Sequence, residues 1–441
     1  MARKNQRLPK DPVRATIDTQ AHDGRGVARV DGKTVFVEGA LAGEDVSFTY
    51  LNSKKNYDEA VVQEIFSPAA ERVTPKCAAY GVCGGCSLMH LEHGAQIRFK
   101  QHDMLEKLKR MGKSEPLEVL APLVSELWGY RRKARLGAKF VAKKGRVLVG
   151  FREKRAPFLA EMERCEVLHP SVGQHLQDLS ELIGSFSQPD TIPQIEVAIG
   201  DEVKGLVFRH LQPLAPGDYQ KLQAFGVQHD FQIYLQPKGP DSITALYPET
   251  PRPLSYRLPD FDVTLQFEPS DFTQVNTGIN RQMVARAIDL LDVQPGETVL
   301  DLFCGLGNFS LPLARKATRV VAVEGERGLV ERARANAERN GLQNVEFHVA
   351  DLFADFTQAP WMQAVDKLLL DPPRSGAIEV SRLLNKFKPK RIVYVSCDPA
   401  TLARDVEEIV HNQGYRLLKA GIMDMFPHTG HVESIAVFEQ S

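Results

Sequence analysis

The sequence predicts a doubly wound α/β domain at its carboxyl-terminal end, preceded by a small β-barrel and a mixed α+β middle region. Three observations predict it. An apolar run at 299–303 ends in Gly305-Leu306-Gly307 and becomes helix-like, as a buried parallel strand, a tight turn and a helix start would. Further apolar runs at 319–323, 345–349, 367–370 and 391–395 are separated by helix-length segments. Residues 13–67 carry five short alternating stretches between glycine turns, among them Asp31-Gly32 and Gly39-Ala40-Leu41-Ala42-Gly43.

The first stretch in chain order is the barrel. Gly24-Arg25-Gly26-Val27-Ala28, Val35-Phe36-Val37 and Ala42-Gly43-Glu44 resemble the TRAM domain, an OB-like RNA-binding module. Cys77, Cys83 and Cys86 follow within ten residues, with Gly81, Gly84 and Gly85 freeing the backbone for a metal knuckle. A tetrathiolate site needs a fourth ligand, and Cys165 is the nearest candidate. Four thiolates suit zinc or a four-iron cluster. Zinc knuckles usually come as two C-x2-C pairs, so the three-plus-one spacing favours iron–sulfur. The usual C-x3-C-x2-C of radical enzymes is missing.

Residues 93–111 read as an amphipathic helix, with Ile97, Met104, Leu105 and Leu108 on one face. Residues 123–256 mix strands and short helices, and the proline-rich stretch 248–259 joins them to the α/β domain. That domain opens with Phe272-Thr273-Gln274-Val275-Asn276-Thr277 and a helical run at 278–291, which Asn276 or Thr277 would cap.

The glycine loop is not a nicotinamide fingerprint, because Ser310 stands where a third glycine is required. Asp301, just ahead of the loop, suits a cationic ligand better than a pyrophosphate. The loop resembles the S-adenosylmethionine site of class I methyltransferases. Each later strand also ends on a polar residue, so Asp301, Glu324, Asp351, Asp371 and Cys397 are expected along one rim, with Glu324 placed to accept ribose hydroxyls.

Of 441 residues, 43% are apolar and 25% charged, ordinary values for a globular protein. No apolar run has membrane-spanning length and the N-terminus has no apolar signal region, so a cytoplasmic protein with reduced cysteines is expected. Net charge is −1, yet eleven Lys or Arg between Tyr130 and Arg155 face only Glu153, and Arg3, Lys4, Arg7, Lys10 and Arg14 face only Asp11. Such a basic band predicts a polyanionic partner, nucleic acid.

Asp371-Pro372-Pro373-Arg374 and Ser396-Cys397-Asp398-Pro399 carry the chemistry. Amino-methylating enzymes follow an acid-Pro-Pro loop with an aromatic residue; here Arg374 follows. Carbon 5 of a pyrimidine becomes nucleophilic once a thiolate has added to carbon 6, and Cys397 is the candidate thiolate. A helix start and Arg374 nearby would lower its pKa. The carbon-5 proton then needs a base. Glu433 is the candidate and His431 the alternative, although a solvent-facing glutamate on the last strand would look the same.

Together FTQVN, DLFCGLGNF, DPPR, SCDP and HVES are similar to the RNA uracil-5-methyltransferase family across nearly the whole chain. The resemblance implies a class I (Rossmann-like) methyltransferase domain, an OB-like TRAM barrel and a mixed α+β iron–sulfur domain. It implies a [4Fe-4S] cluster on Cys77, Cys83, Cys86 and Cys165. S-adenosylmethionine would be held by Gln274, Phe303, Asn308, Glu324, Asp351 and Asp371, with Cys397 as nucleophile and Glu433 as base. The expected divisions are 1–67 for the barrel, 68–90 with 119–262 for the iron–sulfur domain, and 91–118 with 263–441 for the methyltransferase domain. The barrel and the knuckle point to the branch that acts, as a monomer, on 23S ribosomal RNA at uracil 1939. The alternatives are another rRNA or tRNA uracil, RNA cytosine-5 methylation, and a non-catalytic RNA-binding factor, which would need neither Cys397 nor Glu433.

Overall fold

The computed structural model describes residues 8–440, so Arg3, Lys4 and Arg7 of the basic N-terminus lie outside the described residues. The chain divides into two units. One comprises Met1–Lys100, Arg152–Ala160 and Phe426–His431; the other comprises Gln101–Phe151, Glu161–Met425 and Val432–Ser441.

The first unit contains a six-stranded barrel-like sheet of β1 (Val13–Thr16), β2 (Thr19–Gln20), β3 (Gly26–Val30), β4 (Lys33–Glu38), β5 (Asp45–Ser53) and β6 (Tyr57–Ser67), in the order β1-β5-β6-β4-β3-β2. Alternate residues face inward, so Ile17, Ala28, Val35, Val37, Val46, Phe48 and Ala60 form one core. Each such Val, Ile or Phe contributes about 1.5–3 kcal/mol by leaving water. The first expected strand is broken in two. Ile17 leaves the ladder because its N–H donates to the Glu44 carbonyl at 2.8 Å and its carbonyl accepts from Gly43 at 2.8 Å.

Glu44 is fully buried, and Arg72 clamps its carboxylate with Nη2 2.8 Å from Oε2. The N–H groups of Leu41 and Ala69 add bonds of 2.8 and 3.1 Å. Burial works against the charge, but the guanidinium and these N–H groups hold the pKa below the usual carboxylate range. Arg72→Ala leaves that charge buried without its cation, and should cost about 3–5 kcal/mol. A urea midpoint for the barrel within experimental error of wild type would contradict this account.

Residues 77–86 form turns, joined to 152–154 by Gly84 N–H to the Arg152 carbonyl and Lys154 N–H to the Val82 carbonyl, both 2.9 Å. The helix His93–Arg110 follows, and then β7 (Glu118–Val119).

In the second unit, a six-stranded sheet has the order β13-β12-β11-β10-β8-β9. Its strands are β8 (Lys133–Val141), β9 (Arg146–Gly150), β10 (Gln194–Ile199), β11 (Lys204–Arg209), β12 (Gln232–Gln236) and β13 (Thr244–Tyr247). The helices Leu176–Gly184 and Pro216–His229 accompany it. A hairpin of β14 (Leu254–Leu258) and β15 (Val263–Phe267) comes next.

The last sheet has the order β18-β17-β16-β19-β20-β22-β21-β7. Its further strands are β16 (Thr298–Leu302), β17 (Arg319–Glu324), β18 (Val345–Val349), β19 (Lys367–Leu370), β20 (Arg391–Ser396), β21 (Tyr415–Met423) and β22 (Glu433–Gln440). β16 to β20 are parallel and buried along nearly their whole length, apart from the edge strand β18. The order reverses between β16 and β19, which makes a topological switch point at the carboxyl ends. β22 is antiparallel to β20, so its first residue, not its last, lies at that end. The helix Thr277–Leu291 is capped by Asn276, whose Oδ1 accepts from the Ile279 N–H at 3.2 Å, and buries Ile279, Met283, Ala287 and Ile288.

The basic band is much reduced by pairing. Arg132 pairs with Asp201 at 3.0 Å and Arg135 with Glu196 at 2.9 Å. Lys144 and Arg146 share Glu161, and Lys154 and Arg155 share Glu38. Lys133 donates to the Pro269 carbonyl, and burial lowers its pKa to about 8. Arg131 and Arg132 also donate to the carbonyls of Lys133 and Gly200, while Lys139 on β8 and Lys143 at the β8–β9 turn stay exposed.

Candidate active site

β16 delivers the chain into the glycine loop in a forced conformation. Phe303 takes φ 65°, a left-handed value that costs a side-chain-bearing residue on the order of 1 kcal/mol or more. Gly305 and Gly307 follow at φ 53° and 91°. A Cβ on Gly307 would sit 2.3 Å from Leu311 Cδ1 and would have to adopt the left-handed φ of 91°, so a larger residue there strains the turn. Glu324, at the end of β17, pins the loop by accepting from Gly305 N–H at 3.0 Å; its other oxygen accepts from Gly325 and Glu326 at 2.7 and 3.1 Å.

Asp301 is fully buried. Its Oδ2 accepts from Ser310 Oγ, while Oδ1 has no hydrogen-bond partner among the described residues. Burial, with Asp371 and Glu324 nearby, raises its pKa to about 8. A buried carboxyl with an unmatched oxygen beside a glycine cradle suits a cationic ligand, so the residues present fit S-adenosylmethionine.

Of the remaining predicted cofactor residues, Phe303 and Asn308 flank the glycine loop in sequence, and Asp351 and Gln274 come from other segments. The Phe303 ring lies 5.7 Å from that of Phe353, which is 44% exposed. Asp351 is exposed, with Oδ1 accepting from Phe353 N–H at 2.9 Å. Asn308 exchanges amide hydrogen bonds with Asn280 at 2.9 and 3.1 Å, and its Oδ1 also accepts from Tyr256 Oη at 3.0 Å. Gln274 is half-buried in the segment before the Asn276 cap, where Val275 accepts from Arg132 N–H at 2.9 Å. Tyr256, Asn280, Ser310 and Phe353 touch predicted site residues, and the motifs did not announce them. Tyr256 carries no signal at all, since it comes from the β14 hairpin.

At the other side of the switch point the reactive groups gather. Asp371 follows β19 and Cys397 follows β20, and Ser396 is paired with Ser434, which brings Glu433 opposite Cys397. Glu433 is only 6% exposed, so it is not the solvent-facing glutamate that the sequence also allowed. Burial, then the charge of Asp371, raises its pKa to about 8 against the opposing effect of Arg374. Burial alone raises Asp371 to about 7.

Cys397 does precede a helix, Pro399–Glu407, whose first N–H groups are capped by Asp398. The expected low thiol pKa is nevertheless reversed. Burial, Glu433 and Asp371 push it up to about 12, and Arg374 offsets only part of that. The site thus rests as a thiol with carboxyl neighbours. His431 lies in the first unit, its ring 5.5 Å from that of Phe426.

The cysteine knuckle lies in the first unit and Cys165 in the second. No cysteine is in a disulfide. Cys83 is buried and accepts from Gly85 N–H at 3.4 Å; burial raises its pKa, and the neighbouring Cys77 raises it further. Cys86 lies near enough to Tyr80 to disfavour the phenolate. Cys77 and Cys83, close enough for one charge to disfavour the other, fit a cationic metal group.

Comparison with known proteins matches residues 255–441 to the tRNA (Uracil-5-)-methyltransferase family and residues 9–57 to the TRAM domain. Among relatives, the 23S rRNA (uracil(1939)-C(5))-methyltransferase RlmD of Alkalilimnicola ehrlichii is 54% identical over 100% of this chain and 99% of its own. That of Hahella chejuensis is 51% identical over 100% of both. Among solved structures, the Pyrococcus abyssi tRNA (uracil-54, C5)-methyltransferase in complex with S-adenosyl-L-homocysteine superposes with a TM-score of 0.73 and 26% identity, covering 97% of this chain and 100% of that one.

Proposed function

This chain belongs to the RNA uracil-5-methyltransferase family, and from that premise we propose that it methylates carbon 5 of uracil 1939 in 23S ribosomal RNA. Supporting this substrate over a tRNA uracil, the relatives named for the 23S reaction are 54% and 51% identical, against 26% for the tRNA enzyme. S-adenosylmethionine supplies the electrophilic methyl group.

The chain's own residues do the rest. Gln274, Phe303, Asn308, Glu324, Asp351 and Asp371 hold the cofactor. The target base leaves its stack at a cost of a few kcal/mol. Cys397 releases its proton to solvent and adds to carbon 6, and the displaced electron pair passes to the carbon-4 oxygen as an enolate, which makes carbon 5 nucleophilic. After methylation Glu433 takes the carbon-5 proton, and the Cys397–carbon 6 bond breaks to return the thiolate. The observation that carries this reading is geometric: β22 runs antiparallel to β20 with Ser434 opposite Ser396, so Glu433 stands opposite Cys397.

The decisive test is to map 5-methyluridine in ribosomal RNA from a deletion strain. Loss at position 1939 alone, restored by the gene, is expected; an unchanged map would overturn the proposal. The protein would act in the cytoplasm, where ribosomal RNA is modified; no helix among the described residues is long and apolar enough to cross a membrane.

The metal group is a [4Fe-4S] cluster on Cys77, Cys83, Cys86 and Cys165. Its role is to hold the middle domain together, since the reaction transfers no electrons. The division proposed with it is 1–67 for the barrel, 68–90 with 119–262 for the iron–sulfur domain, and 91–118 with 263–441 for the methyltransferase domain. Anaerobically purified protein should contain about four irons per chain, and Cys165→Ser should lose them as completely as Cys83→Ser. One zinc and no iron would refute the assignment.

A further inference from the structure

A second group of metal-ligating side chains lies away from both the methyltransferase rim and the cysteines. His175, Asp178 and His229 each offer a ligand atom, and these atoms lie within 4.8 Å of one another, the only such group of three among the described residues. From this convergence we propose that His175, Asp178 and His229 form a binding site for a divalent transition-metal ion of the zinc class.

The fold fixes all three. His175 immediately precedes the helix Leu176–Gly184 and Asp178 lies in its first turn, which puts both on one face. His175 Nδ1 is 2.6 Å from Asp178 Oδ2. His229 ends the helix Pro216–His229, and Asp230 terminates that helix in a left-handed conformation, φ 55°, its N–H returned to the Gly226 carbonyl. The His175 and His229 rings meet at 4.8 Å between centroids. The site therefore bridges the ends of two helices beside the six-stranded sheet.

Ligand chemistry selects the ion. Two imidazoles and a carboxylate suit zinc, cobalt, nickel or copper, and are poor for magnesium or calcium, which prefer all-oxygen sets. Tetrahedral bonds of about 2.0–2.2 Å place ligand atoms about 3.3 Å apart. Reaching that spacing needs side-chain rotations on the order of 1 Å, and His175 and Asp178 are 35% and 43% exposed, with room to turn. The nearest cation, Lys204, is neutralised by Asp230 at 2.9 Å. Three protein ligands leave one position for water, and the expected role is to clamp the two helices.

The simpler arrangement is an ion pair between His175 and Asp178 with His229 resting on Phe225, rings 4.3 Å apart. Zinc titration separates the two. Full-length protein carrying its cysteine-bound group is titrated with zinc chloride by calorimetry and followed by thermal shift. Wild type should bind one equivalent and gain in melting temperature. The pair His175→Ala with His229→Ala should lose that equivalent and the gain, and His229→Asn alone should weaken binding by at least about tenfold. Cobalt bound in place of zinc should lack the thiolate-to-metal absorption that cysteine ligation gives. No zinc binding by wild type, unchanged binding by the variants, or a thiolate spectrum would each overturn the proposal.

Discussion

Cys397→Ala should abolish methylation, whereas Glu433→Gln should leave the protein covalently fixed to its RNA. The two opposite outcomes follow from one sequence of bonds. Without the thiol no bond to carbon 6 forms, carbon 5 stays unreactive, and the rate should fall by on the order of 10⁶, as loss of a nucleophile does elsewhere. Without the carboxylate the bond forms and the methyl transfers, but the carbon-5 proton has no acceptor and the thiolate cannot leave. A denaturing gel reads both. Wild type with 5-fluorouracil-containing RNA should show the same shifted band as Glu433→Gln with ordinary RNA, because fluorine does not leave as a proton does. Arg374 is the one neighbour that lowers the thiol pKa. Arg374→Gln should therefore slow adduct formation and move its pH dependence to higher pH. A fluorinated-RNA adduct with Cys397→Ala, or normal turnover by Glu433→Gln, would refute these roles.

The rim was legible because it depends on local pattern. Buried parallel strands read as apolar runs, and the expected runs at 319–323, 367–370 and 391–395 correspond to β17, β19 and β20. What local pattern does not carry is partnership across the chain. Nothing in HVES says that β22 inserts antiparallel beside β20, yet that insertion is what sets Glu433 opposite Cys397. The pairing of charges within the basic band is hidden for the same reason. Its neutralising acids, Glu38, Asp201 and Glu196, are tens of residues distant, and only folding brings them in. A low thiol pKa is what the helix start alone implies; desolvation and two carboxylates from distant strands outweigh it. His175, Asp178 and His229 were silent, since the third member lies 51 residues from the second.

Between pH 6.5 and 8 the unliganded protein should lose stability as pH rises, and Glu433→Gln should lose less. Asp301 and Glu433 titrate near 8 and Asp371 near 7 in the folded protein, against ordinary values of 3.8, 4.5 and 3.8. In that window the folded state holds protons that the unfolded chain has already released. Stability then falls by up to about 1.4 kcal/mol per pH unit for each retained proton. The window is chosen to isolate these groups. His90, lowered by burial to about 3, adds stability with rising pH only below about 6.5. Lys133, lowered to about 8, does so mainly above it. Removing the Glu433 carboxyl should shrink the slope by up to about 1.4 kcal/mol per pH unit and raise the urea midpoint at pH 8. S-adenosylmethionine, a cation, should stabilise wild type more at pH 8 than at pH 6.5, and S-adenosylhomocysteine, neutral at sulfur, should show less of that increase. A urea midpoint that is flat or rising across the window would mean that these carboxyls are already ionised in the folded protein, and that Glu433 needs no substrate or cofactor to become a base.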